Sequence, residues 1–285
     1  MTLYHTFSTQ EEIEQEYNPR MSVENVEEHV NWYSSESKRV IREYSNMPGV
    51  AYGPTRAEIL DIYPADNESA PVHIFFHGGY WHSFYSKDFA FVAEGLVRNG
   101  IAAVLVNYAL CPSVTIDEIV RQSSAAVAWT YNNAESFGGN ADKITVSGHS
   151  AGGHLAGMMM SVSWGNDYGL PQNLIKGFLP ISGLFDLAPF PHSWLQPKLP
   201  LTTEQIQRNS PVLLKPACNA PVVVAVGDEE SGEFHRQSEI YVAFLQKHGI
   251  DAKYMPVEGK NHFSVVDDFL GEGGDFCKII IDWSQ

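Results

Sequence analysis

Short, nearly continuous apolar runs alternate with stretches of helical periodicity along most of this chain. Runs such as VHIFF, IAAVLV and VVVAV contain hardly any polar position, the pattern of strands covered on both faces. Strands are expected at 58–63, 72–76, 101–107, 143–147, 177–181, 222–226 and 252–257. Between them the spacing predicts helices near 87–99, 116–137, 151–163, 233–248 and 263–270. Such alternation predicts an α/β fold with a mostly parallel central sheet and helices on both faces.

Two stretches depart from this rhythm. The first fifty residues read as helical: Ser8 with Glu11 and Thr9 with Glu12 offer capping boxes ahead of EEIEQEY. A second helical stretch near 23–44 ends before the turn-forming Met47-Pro48-Gly49. Residues 184–216, rich in Pro, Leu and Trp (LAPFPHSWLQPKLP), are too long for a tight connection. Segments 1–50 and 184–216 are therefore expected to form a small cap on one α/β domain spanning 1–285.

Composition narrows the partners. With 44% apolar and 18% charged residues, the 285-residue chain has ordinary globular content and enough length for a sizeable core. Its net charge of −16 repels phosphate backbones and anionic lipid, which argues against nucleic acid and membranes and leaves a homodimer open. Cys111, Cys218 and Cys277 lie far apart without CxxC spacing, so neither a disulfide framework nor a zinc site is indicated. The start of the chain is polar and acidic, and no stretch approaches the ~20 apolar residues of a membrane span, so a cytoplasmic protein is expected.

The chemistry concentrates at strand ends. Gly148-His149-Ser150-Ala151-Gly152 stands between a predicted strand and a predicted helix, the setting in which G-x-S-x-G forms a nucleophile elbow. The sharp turn crowds positions two before and two after the serine, hence glycine at both. Ser150 then sits at a helix N-terminus, where free N–H groups favour an oxyanion. Upstream, His77-Gly78-Gly79 follows an apolar strand directly. Glycines there let the backbone approach a reacting carbonyl, so the oxyanion donors are expected to be Ala151 and Gly79, with Gly78 or Tyr80 as further donors.

A serine nucleophile needs a base and an acid, in the chain order Ser, Asp/Glu, His. Of eleven histidines, only His262 lies downstream on a loop of the right kind. His77 is expected to brace the oxyanion loop, and His82, His192 and His235 are pocket candidates more simply read as surface or packing residues. For the acid, VVVAV runs into Asp228-Glu229-Glu230, any of which suits the chemistry. No HExxH or dinucleotide fingerprint occurs, and a serine triad needs neither metal nor organic cofactor.

Six segments (EEIEQEYNPR, LDIYPA, FFHGGYW, GHSAGGHLA, VGDEESGEFHRQS and NHF) together resemble the kynurenine formamidase (arylformamidase) branch of the α/β-hydrolases over nearly the whole length. In that branch the acid, usually Asp, stands three residues before the Glu-Phe of the EFHRQS-like segment. The resemblance therefore implies Glu230, a departure from Asp, with Asp228 as runner-up. It further implies cleavage of the formamide of N-formylkynurenine in tryptophan breakdown, with a small acyl pocket and an aromatic leaving-group site. Tyr80, Trp81, Phe84 and Tyr85 follow the oxyanion glycines as candidate walls, and Trp81 and Tyr85 are assigned to the substrate. The alternatives are a carboxylesterase for short acyl or aryl esters and, from another class, a non-catalytic binding module.

Overall fold

The computed structural model describes residues 2–270 and 274–284. Among these, eight strands form one sheet: β1 (Met47–Ala51), β2 (Ile59–Tyr63), β3 (Ala70–Phe76), β4 (Ala102–Val106), β5 (Gly139–His149), β6 (Ile175–Ile181), β7 (Val222–Gly227) and β8 (Ala252–Val257). The helices are α1 (Gln10–Tyr17), α2 (Pro19–Ser22), α3 (Val26–Glu43), α4 (Val92–Arg98), α5 (Ile116–Asn133), α6 (Ala151–Met159), α7 (Trp164–Tyr168), α8 (Thr203–Asn209), α9 (Gly232–Lys247) and α10 (Asp275–Trp283). The strand order is β1-β2-β4-β3-β5-β6-β7-β8. β1 and β2 pair antiparallel at one edge, and the strands from β4 to β8 pair parallel.

The continuous apolar runs have the expected cause. Along β3, Val72, Ile74 and Phe76 join one apolar cluster while Phe75 joins another, and β4 divides the same way. Side chains alternate across a strand, so a strand with both faces covered must be apolar at every position. One cluster takes in α5, α6 and α9, the other α3, α4 and α10. Parallel strands also bring their C-terminal ends to one edge, where the loops after β3, β5, β6, β7 and β8 meet.

Several local expectations change. Met47-Pro48-Gly49, expected as a turn, opens β1; this strand is exposed at four of its five positions and so carries no apolar signal. Of the two capping boxes, Thr9–Glu12 forms. Segment 87–99 divides into a tight turn at Ser86–Phe89 and α4, and 263–270 is a six-residue 3-10 turn, Ser264–Phe269, rather than an α-helix. Among the described residues no helix is long and apolar enough to cross a membrane.

Helix α3 is fastened to α4 by charge as well as by packing. The Arg39 guanidinium holds the Glu94 carboxylate, which also accepts from Tyr44 Oη at 3.0 Å and pairs with Arg98 at 3.0 Å. Burial alone would raise the Glu94 pKa, but the bonds from Arg39 and Tyr44 outweigh it and lower the value overall. A lowered carboxylate pKa contributes stability that is complete above the ordinary value of about 4.3 and fades as pH falls through the folded value. Arg39→Ala should therefore cost about 1–3 kcal/mol in urea unfolding at pH 7, because a mostly buried carboxylate loses its main partner. The deficit should shrink once the pH is low enough to protonate Glu94; a deficit independent of pH would refute the pairing.

Candidate active site

The elbow is built by backbone crowding. Ser150 turns the chain from β5 into α6 with φ 58° and ψ −116°, a region that L residues rarely occupy. A Cβ on Gly148 would fall 2.2 Å from the Gly152 carbonyl oxygen, and one on Gly152 would fall 1.9 Å from that of Phe76. The Ser150 N–H donates to Ile181 O at 2.8 Å, which ties the turn to the end of β6.

Three distant segments meet there. Ser150 Oγ lies 3.1 Å from His262 Nε2, and His262 Nδ1 lies 2.6 Å from Glu230 Oε2. The Glu230 side chain is fully buried, and its other oxygen accepts from Ser182 Oγ at 2.5 Å and from the Gly227 N–H at 2.8 Å. Asp228 is exposed, with its carboxylate 3.3 Å from the Lys260 N–H, and Glu229 is exposed as well. Of the three candidate acids, Glu230 is the one brought to His262.

Neutral histidines frame this line. His149 Nε2 is 2.8 Å from the His262 carbonyl oxygen and so donates to it, clamping the loop that carries the imidazole. Burial, and then the nearby charge of His262, push the His149 pKa well below its ordinary value. His77 Nδ1 bonds Gly78 O at 2.8 Å, and its ring stacks on Tyr108 at 4.1 Å while Tyr108 Oη donates to His77 O at 2.7 Å. Burial lowers the His77 pKa to about 4, so this brace of the glycine loop stays uncharged near neutrality. In that loop Gly79 has φ 105°, and a Cβ on it would fall 2.3 Å from Ser83 O. Among the described residues, the N–H groups of Gly79, Tyr80 and Ala151 donate to no protein acceptor, and Gly78 packs against the Ser150 side chain.

Ser150 and His262 open into a cavity of about 230 Å³. Its walls include Gly79, Tyr80, His82 and Phe84 from the glycine loop, Asn18, Arg20 and Tyr33 from the N-terminal segment, and Trp194 and Lys198 from 184–216. Two substrate assignments need correction. Trp81 is wholly buried away from the cavity; its Nε1 donates to His154 Nδ1 at 3.2 Å and its ring meets Phe190 edge-on at 5.9 Å. Tyr85 is half exposed and faces a separate groove beside Asp61, Lys87 and Tyr108. The aromatic run after the glycines reverses direction within a few residues, with Tyr80, Trp81 and Phe84 all at positive φ, so neighbours in sequence point to different places. Asn18 and Arg20 close the EEIEQEYNPR segment of the resemblance, whereas Tyr33, Trp194 and Lys198 stand in no motif. For Trp194 and Lys198 the signal is the density of Pro and Leu in 184–216, which marks a long irregular connection. No group of three or more His, Cys, Asp or Glu among the described residues could hold a metal ion.

Comparison with known proteins fixes the class. Residues 60–176 match the family model described as BD-FAE. Kynurenine formamidase of Danio rerio is 31% identical over 273 residues, covering 93% of this chain and 91% of that protein. The chain belongs to the kynurenine formamidase family. Among solved structures, a Silicibacter sp. TM1040 protein provisionally described as a thioesterase superposes with TM-score 0.84 at 25% identity, covering 94% of this chain and 99% of that one. A Pyrobaculum calidifontis esterase shares the fold at TM-score 0.69 and 18% identity, covering 96% of each chain. The fold is thus that of the α/β-hydrolases, and the protein is a hydrolase.

The corrected place of Trp81 has a measurable consequence. Trp81→Phe leaves the buried His154 Nδ1 without its donor and should lower stability by about 1–3 kcal/mol in urea unfolding. A KM raised more than about tenfold at unchanged stability would instead return Trp81 to the substrate.

Proposed function

We propose that Ser150, His262 and Glu230 act as nucleophile, base and acid in hydrolysing an aryl formamide, with N-formylkynurenine as the substrate that the relatives' name suggests. The observation that carries this reading is the unbroken line of hydrogen bonds from Ser150 Oγ through the imidazole to a buried carboxylate, opening on a cavity.

The steps follow from the geometry. His262 Nε2 takes the Ser150 proton as Oγ attacks the formyl carbon, and the carbonyl electrons move to oxygen. That oxyanion accepts from the N–H groups of Ala151 and Gly79, with Gly78 or Tyr80 as further donors, at the N-terminus of α6. Glu230 keeps the proton on His262 Nδ1 and stabilises the imidazolium. Collapse breaks the C–N bond, the aryl amine leaves with the proton from His262, and a formyl ester remains on Ser150. Water then attacks that ester, giving a proton to His262. Formate departs and Ser150 regains its hydrogen.

Segments 1–50 and 184–216 act as the cap in this reading, supported by the walls they lend to the cavity. A cytoplasmic site of action accords with three free cysteines, the state expected in a reducing compartment. The second reading, a carboxylesterase, draws on the esterase among the fold relatives, and the same attack serves an ester.

Ser150→Ala should lower kcat at least about 10³-fold and Glu230→Gln about 10²–10⁴-fold, while Asp228→Asn stays within a few-fold of wild type. Steady-state assays on N-formylkynurenine and phenyl acetate test both points. A loss with Asp228→Asn matching that of Glu230→Gln would overturn the choice of acid, and a higher kcat/KM for the acetate would favour the esterase.

A further inference from the structure

The cavity at Ser150 has an electrostatic character opposite to that of the whole protein. The chain carries 34 Asp and Glu against 18 Lys and Arg, yet among the described residues no carboxylate lines this cavity, whereas Arg20 and Lys198 do. Both cations are exposed, so they stand at the mouth with their charges in solvent rather than beside the nucleophile. Arg20 is partly occupied by Glu27 at 2.9 Å. The Lys198 backbone N–H donates to Leu195 O at 2.8 Å, but among the described residues its ammonium has no ion-pair or hydrogen-bond partner. Its field reaches inward: the pKa of half-buried His82, another wall residue, is lowered first by burial and then by the charge of Lys198. Both effects disfavour the charged imidazole, and the permanent cations of the rim are Lys198 and Arg20. Between rim and nucleophile the walls are aromatic, with Tyr80 and Trp194 meeting edge-on at 5.6 Å.

A neutral substrate would gain little from such a rim. An anionic one would be repelled by a surface of net charge −16 unless the potential were reversed locally where it enters. We propose that Lys198, assisted by Arg20, selects substrates whose aromatic leaving group carries a carboxylate. Acyl transfer then occurs at Ser150 while the leaving group's negative charge stays at the solvent edge. The inference rests on the reading of Ser150 as nucleophile but not on whether the bond cleaved is a formamide or an ester.

The test compares formanilide with formanilides bearing a carboxylate on the ring or on a short side chain, using the full chain at low and moderate salt. The carboxylated substrates should show the higher kcat/KM at low salt. Lys198→Ala should reduce the ratio of carboxylated to neutral kcat/KM about fivefold, the scale of one exposed charge pair, and mainly through KM. Lys198→Arg should keep the ratio, Lys198→Glu should lower it further, and added salt should compress it. A ratio that is the same in wild type and Lys198→Ala, or insensitive to salt, would overturn the proposal. If no formanilide is cleaved, phenyl acetate and its carboxylated analogues supply the same ratio. The formamide reading can then fail while the charge selection still stands or falls by Lys198.

Discussion

The backbone reversal at Ser150 is the constraint from which the rest of the site is arranged. A serine at φ 58° and ψ −116° costs on the order of 1–3 kcal/mol and persists only where its surroundings leave no alternative. Here the N–H is held by Ile181 O, and a glycine on each side removes the Cβ atoms that would collide with neighbouring carbonyls. The strain sets a short side chain at the start of α6, at the sheet edge where the loops after β3, β6, β7 and β8 also arrive. The candidate base comes from the loop after β8 and the candidate acid from the loop after β7, and neither lies near Ser150 in sequence.

Those loops are not left to hold themselves. Tyr33 of α3 donates to the Phe263 carbonyl, next to the imidazole, and His149 clamps the carbonyl of His262 itself. Tyr80 of the glycine loop donates to the Tyr17 carbonyl at the end of α1, and Ser231, beside the acid, donates to Glu16 O. Tyr17 in turn donates to Glu233 at 2.5 Å and accepts from Gln237 at 2.9 Å, both on α9. The first four bonds join the N-terminal segment, or the elbow, to a loop bearing a candidate catalytic group, and the Tyr17 pair joins it to α9 behind the candidate acid. The first fifty residues therefore wall the cavity and brace the site behind it.

How much of this was legible depended on the range of the interaction. Strands β3, β4 and β7 could be read because burial on both faces forces an uninterrupted apolar run. β1 could not, since an exposed antiparallel edge imposes no such demand and its Pro and Gly look like a turn. Ser150 and His262 stood out because the elbow has a local steric signature and the chain order limits the base. Of the cavity walls, Tyr80 and Phe84 were legible as aromatics following the glycines, whereas Tyr33, Trp194 and Lys198 are brought in by folding across long sequence distances. Trp81 shows the limit: its aromatic character suggested a substrate contact, and only the positive φ of its loop turns it inward to bond His154.

The candidate acid is positioned by its own surroundings. Asp228, directly after β7, turns outward to the Lys260 N–H. Glu230 stands two residues further on, and its longer side chain folds back over the strand end so that Oε1 accepts from the Gly227 N–H. Ser182, itself at φ 49° after β6, donates to the same oxygen, which leaves Oε2 for the imidazole. A carboxylate buried with three donors is fixed in position and kept satisfied, the condition for holding one histidine tautomer. Glu230 is thus held from two strand ends at once, by the Gly227 N–H of β7 and by Ser182 after β6, with the other oxygen left to His262.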